Sequence, residues 1–375
     1  MRSTTILAAA ALAVTLAACG ASTQTGDSNG RHVQVSLTDA GCDPARLELP
    51  AGPTTFAVTN QGADAVSEFE VLDGGRVLGE VENLTPGLSG TFSLTLKPGT
   101  FKTSCPGGKS AAAGQLIVSE SGGTTPTTTP QQHAAGRQAV ATYRSYAEHE
   151  AAELVTATTA FVNAVKAGNL AQAEQLFPAA RTHYESIEPI AESFGDLDPE
   201  IDARINDVPA GQFQGFHRIE RQMWQAGNLD GMTPVADELL ANVTTLQHRI
   251  PGIDLEPAQV ANGAVELLNE VATSKITGEE DRYSHTDLWD FAANLEGARK
   301  AFAALKPIVA AKDPGLVTKL GTRFASTEQA LGKYKRGDGY VLYTDLTQAD
   351  TRALAAQVDA LADVLSKVAP LVVQG

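Results

Sequence analysis

The placing of apolar residues divides the chain into two textures. Between Arg31 and Glu120 apolar and polar positions alternate in short runs: HVQVSLTDAG, TTFAVTNQG, SEFEVLDGG, RVLGEVENL, GTFSLTLKPG, TFKTSC and GQLIVSE. Most are bounded by Gly, Pro, Asn or Asp, so each predicts a strand. About seven short strands in so little chain predict a small Greek-key β-sandwich over residues 31–120. From Gln138 to Gly375 the spacing changes to three and four, as in PVADELLANVTTLQHRI and TDLWDFAANLEGARKAFAALKPIVAA. That period predicts about seven or eight amphipathic helices in an antiparallel bundle. LAQAEQLFPAARTHYESIEPIAESF reads as one such helix. Gly168, Gly278 and Pro314 stand near helix ends, where breakers belong. Residues 121–137, opening SGGTTPTTTPQQ, read as a Ser/Thr/Pro-rich linker.

The start of the chain carries neither texture. A basic Met1-Arg2 precedes an apolar run from Ile6 to Ala18, then Cys19. The run is too short to span a bilayer and ends in small residues, so residues 1–18 predict a signal peptide. Leu16-Ala17-Ala18-Cys19 resembles the bacterial lipobox, which implies lipidation of Cys19; an ordinary secretory signal is the alternative. Residues 19–30 are small and polar and predict a flexible tether. The expected location is therefore the extracytoplasmic face of the cell membrane, through a lipid anchor alone.

Charge narrows the function. With 28 Lys and Arg against 44 Asp and Glu, the net charge is −16. Nucleic-acid binding needs basic patches and is disfavoured, whereas cations are suitable partners. His217 and Glu220, in GFHRIERQMW, are three apart and so share a helical face. Facing helices of a bundle hold metals with this spacing. An exposed ion pair is the plainer reading of one HxxE. A second stretch, KITGEEDRYSHTDLWD, crowds Asp281, Tyr283 and His285 among further acids. It suits a hard cation such as Fe³⁺, or else a solvated loop before a helix capped by Ser284 or Thr286. In a third, Glu185, Glu188 and Glu192 follow an i, i+3, i+7 pattern on one predicted face.

YESIEPIAESFGDLDPEIDAR, GFHRIERQMW and KITGEEDRYSHTDLWDFAANLEGARKAF occur in this order, and together they resemble the imelysin-like M75 domain of the EfeO/EfeM iron-uptake lipoproteins. The likeness covers essentially all of residues 138–375. It implies an iron-binding bundle with His217 and Glu220 at its centre, and Glu185, Glu188, Asp281, Tyr283 and His285 as further candidate ligands. It also implies delivery to an EfeU-type permease alongside an EfeB-type haem peroxidase. Although the family bears a metallopeptidase label, the zinc-protease pattern HExxH and the G-x-S-x-G elbow are both absent from the sequence. The chain is thus expected to be a binding protein and no enzyme. A structural or adhesion lipoprotein is the runner-up, with a peptidase behind it.

EfeO-type chains carry a cupredoxin-like domain before the bundle, which fits residues 31–120. Blue copper needs two His and a Cys, commonly with an axial Met. This segment holds only His32 and no Met, so a blue-copper centre is excluded. The resemblance offers Cys42, Glu68 and Cys105 as ligands for copper or iron. In an oxidising compartment the two cysteines could equally form a disulfide, and both readings stand at this point. Alternation puts Glu68 and Glu70 on one strand face and Phe69 and Val71 on the other.

Overall fold

The computed structural model describes residues 31–109, 114–120, 130–195 and 197–373. The predicted signal peptide, Cys19 and tether lie outside them, as do residues 121–129 of the expected linker; its last part, 130–137, is instead helical and opens the first helix of the bundle.

Nine strands make up the first part: β1 Arg31–Thr38, β2 Gly41–Asp43, β3 Arg46–Pro50, β4 Gly52–Asn60, β5 Phe69–Asp73, β6 Arg76–Val81, β7 Ser89–Leu96, β8 Gly99–Ser104 and β9 Gly114–Ser119. They form two sheets, ordered β2-β1-β4-β7 and β3-β9-β8-β5-β6. Pattern reading missed β2 and β3. Both are short, and β3 forms only by pairing in parallel with the remote β9. The inner faces close over Phe56, Phe69 and Phe92, whose ring centroids lie 5.0–6.0 Å apart. Phe69 and Val71 are buried while Glu70 is half-exposed, as alternation predicted.

Cys42 and Cys105 are joined by a disulfide, with Cα atoms 5.6 Å apart. In this bonded form the pair offers no thiolate to a metal. The bridge closes a loop of 63 residues. Replacing both cysteines by alanine is expected to cost the sandwich about 2–4 kcal/mol. Calorimetric melting of the double variant would measure that loss.

The helical part contains α1 Pro130–Lys166, α2 Leu170–Glu185, α3 Glu188–Glu192, α4 Asp198–Asp202, α5 Gly215–Ala226, α6 Thr233–Arg249, α7 Pro257–Thr273, α8 Asp287–Lys312, α9 Pro314–Gly332, α10 Gln348–Leu365 and α11 Val368–Val372. Between α9 and α10, a two-residue hairpin pairs β10 Lys335–Arg336 with β11 Gly339–Tyr340. The single helix expected over 170–194 is broken at Ser186 and Ile187. Pro189 explains the break, since it has no N–H to give the Glu185 carbonyl four residues back and its ring would clash with that carbonyl in a continuous helix. Glu185 and Glu188 therefore lie on different helices. Among the described residues no helix is long and apolar enough to cross a membrane.

The two parts touch along α7. Asn262 donates to the Ser93 carbonyl (2.9 Å) and accepts from the Ser93 N–H (3.3 Å). Arg76 donates to the Asp254 carbonyl, and Lys97 pairs with Glu256 at 2.7 Å. Beside this contact Glu68, Glu80 and Glu82 gather within ligand-sharing distance of one another, with Glu266 of α7 close enough to repel them. Burial and then repulsion from Glu82 and Glu70 push Glu68 up to about 9, and burial with repulsion from Glu270 and Asp198 pushes Glu82 to about 7; Glu80 and Glu266 are held well above the usual carboxylate range. Groups raised in this way favour the fold while protonated, and that contribution is lost as pH climbs through the folded-state values. Glu80→Gln should therefore raise the melting temperature at pH 8 by about 2–4 °C, on the order of 1 kcal/mol, and do little at pH 5. Melting curves at the two pH values would check it.

Candidate metal centre

Gly215 opens α5 with φ +75°, and a Cβ there would come within 2.1 Å of the Ile201 carbonyl oxygen. Only glycine allows α5 to start this close to α4. The helix then turns Phe216, His217, Ile219, Glu220 and Met223 inward. His217 and Glu220 are thus neighbours on a buried face, as their spacing predicted.

His217 Nδ1 lies 2.9 Å from Glu220 Oε2. Glu220 Oε1 accepts from the Tyr283 N–H (2.9 Å), the Ser284 N–H (2.8 Å) and the Ser284 hydroxyl (3.0 Å). With both oxygens engaged, Glu220 orients the imidazole. The other ring nitrogen is treated differently. His217 Nε2 is buried without a hydrogen-bond partner among the described residues, although Glu280 Oε1 stands 3.4 Å away and Asp202 Oδ1 3.6 Å away. These three side chains are close enough to share one ion. A carboxylate–imidazole pair with the far nitrogen facing acids is the usual arrangement around a metal-binding histidine.

Two buried cations offset part of the charge of this cluster. Arg181 of α2 is fully buried and pairs with Asp202, Glu185, Glu280 (2.8 Å), Asp281 (3.3 Å) and Asp290 (3.3 Å). Lys275 is equally buried and pairs with Glu185 (2.6 Å), Glu188 (2.9 Å) and Glu270 (3.3 Å). Arg204 reaches Glu280 at 2.8 Å.

Acids still outnumber cations, and the titrations respond. Burial holds Glu188, Asp281 and Asp290 well above the usual range and Asp287 at about 7. Burial also opposes charge on Asp202 and Glu280, but the cations around them prevail and both are lowered. For His217, burial and the Arg181 charge act downward. Asp202 and Glu220 outweigh them and hold it well above an ordinary imidazole.

The predicted residues divide by where they fall. His217, Glu220 and Asp281 meet in one buried group, and Glu185 and Glu188 in another with Asp202. Tyr283 contributes its backbone N–H, and its side chain lines a narrow crevice leading to His217. His285 joins none of these groups among the described residues; its backbone is left-handed (φ 59°) and bonds Asp281 and Tyr343. Glu68 gathers with Glu80 and Glu82, apart from the bridged cysteines. Thr286 precedes α8 but its hydroxyl bonds Asp281, so it gives no side-chain cap. Sequence reading did not single out Arg181, Lys275, Asp202 or Glu280 as site residues. The only signal was position, since Asp202, Lys275 and Glu280 fall inside two of the quoted motifs.

Known proteins agree with this architecture. The imelysin (peptidase M75) family model matches residues 139–368, and a cupredoxin-like domain model matches 7–118. Relatives called "Iron uptake system component EfeO" from Escherichia coli O157:H7 and Shigella flexneri are each 40% identical over 340 residues, covering 90% of both chains. The crystal structure of an iron-regulated protein A precursor from Parabacteroides distasonis superposes with a TM-score of 0.53 at 16% identity. It covers 65% of this chain and 95% of that one, and bears on the fold alone. The chain belongs to the imelysin (M75) family, with a cupredoxin-like domain in front of the imelysin domain.

Proposed function

We propose that this protein is the extracytoplasmic iron-binding component of an EfeUOB-type uptake system, capturing iron and delivering it to a membrane permease. One observation carries the reading. His217 Nε2 is a buried imidazole nitrogen with no hydrogen bond, held by Glu220 and facing Asp202 and Glu280. Its ion-pair neighbours among the described residues are those two carboxylates, so a cation that displaces its proton would meet an imidazole nitrogen and two acids at once. An imidazole with carboxylates is a donor set that suits iron as cargo. Asp281 borders the same group, and Glu185 and Glu188 form the adjoining one.

The relatives' name supports iron uptake, and an EfeU-type permease and an EfeB-type haem peroxidase are the partners it suggests. Lipidation at Cys19 would keep the protein at the outer face of the membrane. Despite the family's peptidase label, the reading is of binding without catalysis: His217-x-x-Glu220 lacks the second histidine of HExxH, and its glutamate is taken up by the ring and three other donors. In the β part, Glu68, Glu80 and Glu82 are the remaining candidates for iron or copper.

Binding must displace protons, because His217 and several acids are protonated more readily here than in water. Affinity for iron should therefore rise between pH 6 and pH 8. Calorimetry in buffers of different ionisation enthalpy should register about one or more protons released per ion. An affinity that is flat with pH, with no proton release, would refute the reading.

A further inference from the structure

Next to the crevice that reaches His217 lies a surface cleft of about 470 Å³, a size typical of small-molecule sites. Ile205, Val208 and Phe213 form its apolar wall, and Arg218, Arg221 and Gln225 come from the outward face of α5. Among the described residues no acidic one lines it, in a chain whose net charge is −16. Arg218 has no carboxylate partner among the described residues. Arg221 donates only its Nε, to Gln225 at 2.8 Å, leaving its two terminal nitrogens available. Both arginines are half-buried. Ile205 lines cleft and crevice alike, and Arg204 and Arg282 line the crevice. Arg282 likewise pairs with no carboxylate among the described residues. The crevice itself is tight and mixed in charge, with Glu279 and Glu280 beside Arg204 and Arg282, so the acid-free cleft of Arg218 and Arg221 lies next to a buried acidic centre.

Acid-rich proteins ordinarily pair such arginines. Two spaced i, i+3 on one helix face present two forks that match carboxylate oxygens bidentately. Phosphate could also meet them, but two forks on one face favour an anion with two or more carboxylates. Ferric ion stays dissolved near neutral pH only when chelated, and polycarboxylates are simple oxygen chelators of it.

We propose that the cleft binds a polycarboxylate chelator, so that iron reaches the His217 centre as its polycarboxylate complex, with Arg218 and Arg221 gripping the free carboxylates. The part about iron rests on the function proposed above; anion binding by the cleft does not.

The test is calorimetric titration of the purified protein with citrate, with inorganic phosphate, and separately with Fe²⁺ alone under anaerobic conditions. Wild type is compared with Arg218→Gln/Arg221→Gln and Arg218→Lys/Arg221→Lys, and melting curves verify that both variants fold. Citrate should bind the wild type at least tenfold more tightly than phosphate. The glutamine variant should lose at least tenfold in citrate affinity and keep its Fe²⁺ affinity. The lysine variant should fall between, because lysine keeps the charge and loses the fork. Citrate binding that is absent, unchanged in the glutamine variant, or no tighter than phosphate would overturn the proposal. If citrate binds as described and the wild type takes up iron neither as Fe²⁺ nor when titrated with ferric citrate, the cleft stands and the iron-capture reading falls.

Discussion

Arg181→Met should destabilise the helical domain by about 3–5 kcal/mol at pH 8, the range measured when one partner of a buried ion pair is removed. Since whole domains are stable by about 5–15 kcal/mol, this is a large share of what holds the bundle together. The cause is local. Methionine fills much of the space between Phe177 and Phe216, whose ring centroids lie 5.9 Å from the guanidinium carbon. It supplies no charge to Glu185, Asp202, Glu280, Asp281 and Asp290, all of which Arg181 contacts. Those acids can escape only by taking up protons. In the native protein Asp202 and Glu280 are lowered with the help of Arg181, so they help the fold above their unfolded-state values and lose that help as pH falls. Without Arg181 that help weakens, most for Asp202, because Lys275 and Arg204 still face Glu280, and protonation becomes the easier escape for the acids that Arg181 alone served. The defect should therefore shrink towards pH 5. Urea unfolding at both pH values measures it, and an equal loss at both would show that the arginine acts by packing alone.

The second large effect separates two residues that a motif joins. His217→Ala should abolish iron binding, because it removes the one imidazole nitrogen that faces Asp202 and Glu280. Glu220→Gln should weaken binding by about 10–100-fold without abolishing it, the usual consequence of disturbing a group that orients a ligand. Glutamine can still accept from the Tyr283 and Ser284 N–H groups, while its hold on His217 Nδ1 changes. If Glu220 were itself a ligand of equal weight, both variants would lose the ion alike. Equilibrium metal analysis after dialysis distinguishes the two outcomes.

How far the sequence foretold this centre follows from the range of each interaction. His217 and Glu220 were legible because i, i+3 spacing is a property of one helix. The sandwich and the bundle were legible because apolar period is local as well. The break at Ser186–Ile187 could have been inferred from Pro189, but the apolar period runs through it and concealed it. Arg181 was invisible as a site residue, and Lys275 was marked only by opening the motif KITGEEDRYSHTDLWD. A basic residue in a helix usually lies in solvent, and only the fold brings Arg181 to acids 21 and 109 residues away. The disulfide was legible as a pair of cysteines but not as a bond, since 63 residues separate them. His285 shows the opposite limit. Its position in an acid-rich motif suggested a ligand, whereas the left-handed turn at that residue leaves its ring outside every ion-sharing group among the described residues.

The account turns on His217 and its two facing carboxylates as an iron site. Thermal melting of the whole protein with and without excess iron, in wild type and in His217→Ala, addresses this most directly. At a hundredfold excess over the dissociation constant, a ligand specific for the folded state adds about 2.7 kcal/mol. The wild type should then melt several degrees higher with iron, and His217→Ala should melt at the same temperature with and without it. An iron-dependent rise of equal size in His217→Ala would place the ion elsewhere and contradict the account.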